Sequence, residues 1–259
     1  MTQVLLKRNQ CVAKITINRP EVRNAINDST MDELNRCLDE IENDELLRVV
    51  ILTGEGEKAF ISGGDIKEFE SLTTADHARE MSEKMRKILN RIEQLPIPVI
   101  AALNGDAMGG GCETALACDF RIAVEGTSLG FLQVKLGIIT GWGSGPRLLH
   151  IVGRAQASRL LMLGERITAE EAQRIGLVHQ VVPRHQFVSR VEELAKSLCS
   201  SPPLAVRGFK LALKQWHDAS LHSSQALETE IFSTLWVSQD HKEAVRSFFE
   251  KRDPVFTGE

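Results

Sequence analysis

Three glycine clusters hold the residues of this chain best placed to do chemistry. Phe60-Ile61-Ser62-Gly63-Gly64-Asp65-Ile66-Lys67 follows an apolar run, Arg48–Thr53. Asn104-Gly105-Asp106-Ala107-Met108-Gly109-Gly110-Gly111-Cys112-Glu113 follows another, Val99–Leu103, and opens a helical pattern. Gly137-Ile138-Ile139-Thr140-Gly141-Trp142-Gly143-Ser144-Gly145 opens a second helical pattern. Glycines at strand exits and helix starts bare main-chain N–H groups that can converge on an anion. A nucleotide cradle is poorly matched: no G-x-x-x-x-G-K-[ST] occurs, and Gly54-x-Gly56 lacks the third glycine of a dinucleotide fingerprint. An oxyanion hole fits better, with one N–H near Gly64 and one near Gly110 gripping a carbonyl oxygen as it becomes an enolate. Glu113, three residues after Gly110, is brought back toward the same N–H end by one helical turn. There it could move a proton beside the polarised carbonyl. An acid favoured by the positive end of a helix would show the same spacing, so spacing alone leaves both readings open.

Other reactive side chains lack partners in the sequence. His77, His150, His179, His185, His217, His222 and His241 are scattered without metal-ligand spacing, so no metal is expected. Cys112 reads as a packing residue rather than a nucleophile. Ser144 has no identifiable His–Asp pair. Asp65 reads as the cap of the helix that follows it.

The elements that must hold these clusters follow from periodicity. Val12–Ile17 alternates with period two, and Arg48–Thr53, Val99–Leu103 and Asp119–Val124 are short apolar strands. Helices are expected over Thr30–Asn43 and Asp76–Leu95, and strands separated by helices predict parallel pairing. Lys84, Lys87 and Arg91 share a face of the second helix, a docking strip for RNA or phosphates or simply a solvated face, since Glu80, Glu83 and Glu93 are interspersed. From Gly143 onward the chain reads almost entirely as helix, including a capping box at Thr168–Glu171. The penultimate helix, about Leu221–Val237, carries Leu227, Ile231 and Leu235 on one side and Phe232 and Trp236 on another. Apolar over so much of its circumference, it should be covered on two sides, which suggests a subunit contact, the alternative being that it tucks into its own core.

Composition bounds the rest. The 259 residues are 42% hydrophobic and 25% charged with net charge −4, so no general attraction to nucleic acid or an anionic membrane is expected. Five cysteines without C-x-x-C spacing argue against a disulfide framework or structural zinc and suit a reducing compartment. No secretory h-region or membrane-spanning run is visible, so a cytoplasmic protein is expected.

In order and interval, the chain resembles the crotonase, or enoyl-CoA hydratase/isomerase, superfamily over nearly its whole length. The resemblance is carried by Asn18-Arg19-Pro20 with Asn24-Ala25, by Lys58 through Lys67, by Asn104 through Glu113 and by Ala117–Arg121. It continues through Leu136-Gly137-Ile138, Ala169–Gly176, Pro202-Pro203-Leu204-Ala205 and Glu250-Lys251-Arg252. It implies an α/β fold, a spiral of ββα repeats over 1–200 with the thioester site, and a helical region over 201–259 that makes trimers or dimers of trimers. It implies an acyl-CoA thioester whose oxygen is held by the Gly64 and Gly110 amides, with Glu113 as the catalytic acid. Ser62, Gly64, Asp65 and Ile66 would lie along the CoA side, Val22 and Ala25 near the pantetheine path, and Met108, Leu132, Gly141 and Trp142 around the acyl group. No separate cofactor is implied, coenzyme A being part of the substrate.

Two positions depart from the hydratase pattern. Where such enzymes place a second glutamate, twenty residues after the first, this chain has Gln133, an amide that can orient a water but cannot exchange a proton near neutral pH. Lys135 nearby reads as solvated. Trp142 stands where a small residue is usual, and an indole there should shorten or reshape the pocket. The Gly137–Gly143 segment, together with Ala117–Arg121, is also similar to the ethylmalonyl-CoA decarboxylase branch. Hydration of a 2-enoyl-CoA is therefore the default expectation. Decarboxylation of a short malonyl-type CoA is the alternative, and a non-catalytic acyl-CoA or RNA binder a third.

Overall fold

A computed structural model describes residues 2–201, 203–215, 229–230 and 232–254. Among the described residues, ten strands form two sheets. The larger runs β1(Val4–Asn9), β2(Val12–Ile17), β3(Val49–Gly54), β5(Val99–Leu103), β7(Phe120–Val124), β10(Gln180–Val182), and only its β1–β2 pair is antiparallel. The smaller runs β4(Ala59–Ile61), β6(Asp106–Met108), β8(Ser128–Gly130), β9(Arg166–Thr168), with β4, β6 and β8 parallel. Odd strands β3, β5 and β7 enter the large sheet and the next strand of each turn enters the small one. The chain therefore winds as a spiral of ββ units, each followed by helix.

The helices are α1(Asp28–Glu42), α2(Ile66–Phe69), α3(Ala75–Gln94), α4(Gly110–Leu116), α5(Ser144–Leu163), α6(Ala169–Arg174), α7(Arg184–Ser200), α8(Pro203–Gln215) and α9(Gln239–Glu250), and residues 232–236 are also helical. The expected amphipathic stripes of α1 and α3 bury Leu34, Leu38 and Ile41 against Met81, Met85, Ile88 and Ile92 in one core. The outer face of the large sheet is covered by Phe187, Val191 and Ala195 of α7. Arg121, fully buried, donates to the carbonyls of Cys118 (2.6 Å) and Leu177 (2.7 Å) and so ties the end of α4 to the segment entering β10.

The structure corrects two expectations. The chain after Gly143 is not all helix, because β9 and β10 lie there; each has three residues, too few for alternation to show. On the basic face of α3, two of the three cations are engaged within the chain, in line with the plainer of the two readings. Lys84 pairs with Asp28 (2.7 Å) and Asp32 (2.6 Å), and Arg91 with Asp39 (2.7 Å) and Glu42 (2.8 Å), all from α1. Asp65 occupies the N-cap position of α2, yet its carboxylate makes no cap bond, for a reason given below. Thr168 caps α6 as expected, accepting from the Glu171 N–H, while the Glu171 carboxylate is drawn off to Arg159. Leu227 and Ile231 lie outside the described residues. No described helix is long and apolar enough to cross a membrane.

Candidate active site

The small sheet builds the site. Strands β4, β6 and β8 are adjacent and parallel, so the segments leaving their C-terminal ends emerge side by side. β4 delivers Ser62-Gly63-Gly64, β6 delivers Gly109-Gly110 and then α4, and β8 delivers Phe131-Leu132-Gln133. An isolated parallel bridge, Ile26 to Gly64, adds the segment holding Val22 and Ala25 to the same edge. The clusters are visible in the sequence; the three-residue strands that align them are not.

At that bridge the Ile26 N–H donates to Gly63 C=O and the Asp65 N–H to Ile26 C=O, leaving the Gly64 N–H outside the ladder. Gly110 is the first residue of α4 and has no helical carbonyl one turn back for its N–H, whereas the Gly109 N–H is spent on Gly130 C=O. The two loops touch: a Cβ on Gly63 would lie 3.4 Å from the Gly110 nitrogen. Gly109 has φ +52°, where L side chains are disfavoured.

Glu113 is buried, and both carboxylate oxygens are held. Gln133 Nε2 donates to Oε1 (2.8 Å) and the Trp142 main-chain N–H donates to Oε2 (2.8 Å). Burial pushes its pKa above the ordinary carboxylate range, against the pull of these donors. Cys112 beside it is inert: its thiol donates to Ala107 C=O (2.9 Å), and burial pushes it up to about 12.

Trp142 touches Glu113, the start of α4 and the Gly64 loop. Its N–H holds Glu113, its indole N–H meets Met81 Sδ (3.4 Å), and its ring packs against the Cα atoms of Gly110 and Gly64. The loop bearing it is tied to α3. The Ser82 hydroxyl donates to Gly141 C=O, and buried Arg147 donates to Gly143 C=O (3.2 Å), Asn90 (2.7 Å) and Glu93 (2.8 Å).

These groups line one cleft of about 1280 Å³, and every residue anticipated from the sequence stands on its wall: Val22, Ala25, Ser62, Gly64, Asp65, Ile66, Met108, Gly110, Glu113, Leu132, Gln133, Gly141 and Trp142. Lys135 is exposed at its edge, as expected. The sequence reading missed the wall supplied by the C-terminal region. Phe232 packs against Gly141, Trp236 donates its indole N–H to Leu72 C=O, and His241 Nδ1 meets Leu136 C=O (2.6 Å). The signal was the two-sided apolarity of that helix: Phe232 and Trp236 are spent within the chain. Burial holds the His241 imidazole below its ordinary pKa.

Asp65 explains itself here. Arg19 Nη2 donates to Asp65 Oδ2 (2.9 Å), with both side chains about 10% exposed, and Arg19 Nη1 donates to Ala25 C=O (2.6 Å). This ion pair clamps the Ala25 loop to the Gly64 loop, and the carboxylate that would have capped α2 is used in it. Asp65→Ala leaves the buried guanidinium with only its longer ion pair to Glu68 (3.3 Å), and should cost about 1.5–3 kcal/mol of stability. A fall in the denaturant midpoint at unchanged slope checks this.

The profile of the enoyl-CoA hydratase/isomerase family matches residues 7–259. The chain is 40% identical over 252 residues to a short-chain-enoyl-CoA hydratase of Clostridium acetobutylicum, covering 97% of this chain and 96% of that protein. It is 37% identical over 253 residues to a crotonyl-CoA hydratase of Syntrophomonas wolfei, covering 98% and 97%. Among solved structures, an enoyl-CoA hydratase from Mycobacterium avium subsp. paratuberculosis K-10 superposes with a TM-score of 0.90 at 29% identity, covering 98% of each chain. With its spiral fold and these matches along almost its full length, the chain belongs to the enoyl-CoA hydratase/isomerase family.

Proposed function

We propose that this protein hydrates a short 2-enoyl-CoA, with the Gly64 and Gly110 amides holding the thioester oxygen and Glu113 moving the proton. Water oxygen bonds to Cβ, the C=C π pair shifts toward Cα, and negative charge gathers on the thioester oxygen between the two N–H groups. Glu113 takes the proton that water sheds and returns it to Cα, so the elements of one water are added and the carboxylate is regenerated. The observation that carries this reading is Glu113 itself, enclosed in the cleft one helical turn from Gly110 with its carboxylate fixed by two donors. The names of the two hydratase relatives support the choice of reaction, and their short substrates accord with an indole standing in the acyl pocket. Ser62, Asp65, Ile66, Val22 and Ala25 would face the CoA moiety, and Met108, Leu132, Gly141 and Trp142 the acyl group.

One observation favours a second reading. Glu113 has an amide, Gln133, for its partner, and a malonyl-type thioester losing CO₂ needs a single acid to protonate the resulting enolate. Parallel assays separate the two. Loss of enoyl absorbance with crotonyl-CoA supports hydration, and CO₂ release from a methyl- or ethylmalonyl-CoA without hydration reverses the choice. The family resemblance also supports a homotrimer or dimer of trimers in the cytoplasm. Exposed Leu149, Met162 and Leu163 on α5 and Phe209 and Leu213 on α8 are apolar surface that such contacts would cover. Light scattering of the purified protein tests the assembly, and a monomer would refute it.

A further inference from the structure

The two ends of the Gln133 side chain have opposite fates. The residue is 9% exposed; its Nε2 donates to Glu113 Oε1 (2.8 Å), while its Oε1 is enclosed with no hydrogen-bond partner. A buried carbonyl oxygen without a donor is an unfavourable arrangement. The amide is nearly symmetric in shape, so a half-turn about its terminal bond exchanges the two ends with little steric change. That half-turn sets Oε1 against Glu113, which is attractive only when Glu113 carries a proton there.

We infer that Gln133 is a positioning residue that follows the proton on Glu113, donating through Nε2 to the carboxylate and accepting through Oε1 from the carboxylic acid. The inference rests on Glu113 being the proton-transfer group. In the present setting the carbonyl end has no donor, so the amide is held there chiefly by its single bond to Glu113, and the proton on Glu113 decides whether that bond persists. Glu113 thus keeps a partner while it takes a proton and while it gives one up. A second glutamate, when ionised, would repel the ionised form, and an apolar residue would hold neither.

The groups facing Glu113 can be named element by element. The loop into α5 supplies the Trp142 and Gly141 amides and the Ser144 hydroxyl, and the turn Leu132–Leu136 supplies Gln133. α4 supplies the Cys112 thiol, which stays protonated. Arg147 of α5 is turned to Asn90 and Glu93, and His241 of α9 is engaged with Leu136 C=O. Control of the Glu113 proton therefore falls to burial and to hydrogen bonds, of which Gln133 makes one.

The test titrates Glu113 directly by infrared difference spectroscopy against Glu113→Gln, a readout independent of turnover. Gln133→Met keeps the shape and removes both polar ends. It should move the Glu113 titration to higher pH by about one unit or more, because the ionised form loses a charge-assisted donor and the acid form only a neutral acceptor. The acidic limb of kcat/KM for enoyl-CoA hydration should move with it. Gln133→Glu should replace the single titration by two coupled steps. An unmoved Glu113 titration in Gln133→Met, or a single unshifted step in Gln133→Glu, overturns the inference. A shifted infrared titration in an enzyme that hydrates no enoyl-CoA upholds the inference and refutes the proposed reaction instead.

Discussion

Glu113→Gln should lose about 10²–10⁴-fold or more in turnover, since the group proposed to move the proton is gone, while acyl-CoA binding survives. The same change should make the protein more stable at neutral pH. Burial raises the Glu113 pKa in the folded state above its unfolded value. The stability that this group contributes is therefore fully present below the unfolded value and is lost as pH rises through the folded one. An amide carries no such dependence, and its N–H can donate to a turned Gln133 while its oxygen accepts from the Trp142 N–H. Melting temperatures of the two proteins compared between about pH 4 and pH 8 should separate progressively in favour of the variant. A variant that melts lower at every pH would mean that the carboxylate stabilises the fold, contrary to the burial argument. Lost binding alongside lost turnover would give Glu113 a binding role instead.

Gly110→Ala is expected to damage both the fold and the chemistry. A Cβ at this position would lie 2.0 Å from Trp142 Cζ3 and 2.4 Å from Cη2. The indole cannot simply swing clear, because its N–H is on Met81 and its ring is packed against Gly64. Overpacking of this kind costs about 1–3 kcal/mol. Displacing one of two oxyanion donors costs about 10²–10³ in kcat. Combining it with Trp142→Leu should restore more stability than the single variants predict by addition, since the two sites are in contact. Wild-type melting and wild-type kcat for Gly110→Ala would show that the glycine is not required.

The parts of this site that could be read from the sequence are those in which local chemistry is the message. Gly64 and Gly110 announce themselves because glycines at strand exits have few structural uses other than a bare backbone, and Glu113 because one helical turn fixes where it points. Gln133 was visible as a departure in residue type. Its orphaned carbonyl oxygen was not, since that depends on the enclosure made by the β8 exit and the α5 loop. The strands β4, β6, β8 and β9 were illegible for a different reason: three residues give no period, and their pairing is fixed only by the spiral that stacks them. Asp65 shows local preference losing to a distant partner, with Arg19, 46 residues away in sequence, taking the carboxylate that capping would have used. Phe232 and Trp236 showed that their helix needed cover on two sides; nothing in the sequence said that the cleft of the same chain would supply part of it.

The central claim is that two peptide amides from adjacent parallel strands share one thioester oxygen beside a single carboxyl group. The crystal structure of the protein with a bound acyl-CoA tests it most directly. The account predicts the thioester oxygen about 2.7–3.1 Å from both the Gly64 and the Gly110 nitrogens, with a Glu113 oxygen in reach of Cα or of a water at Cβ. A thioester oxygen bound to only one of those nitrogens, or turned away toward Trp142 with Glu113 out of reach of the acyl carbons, would contradict it.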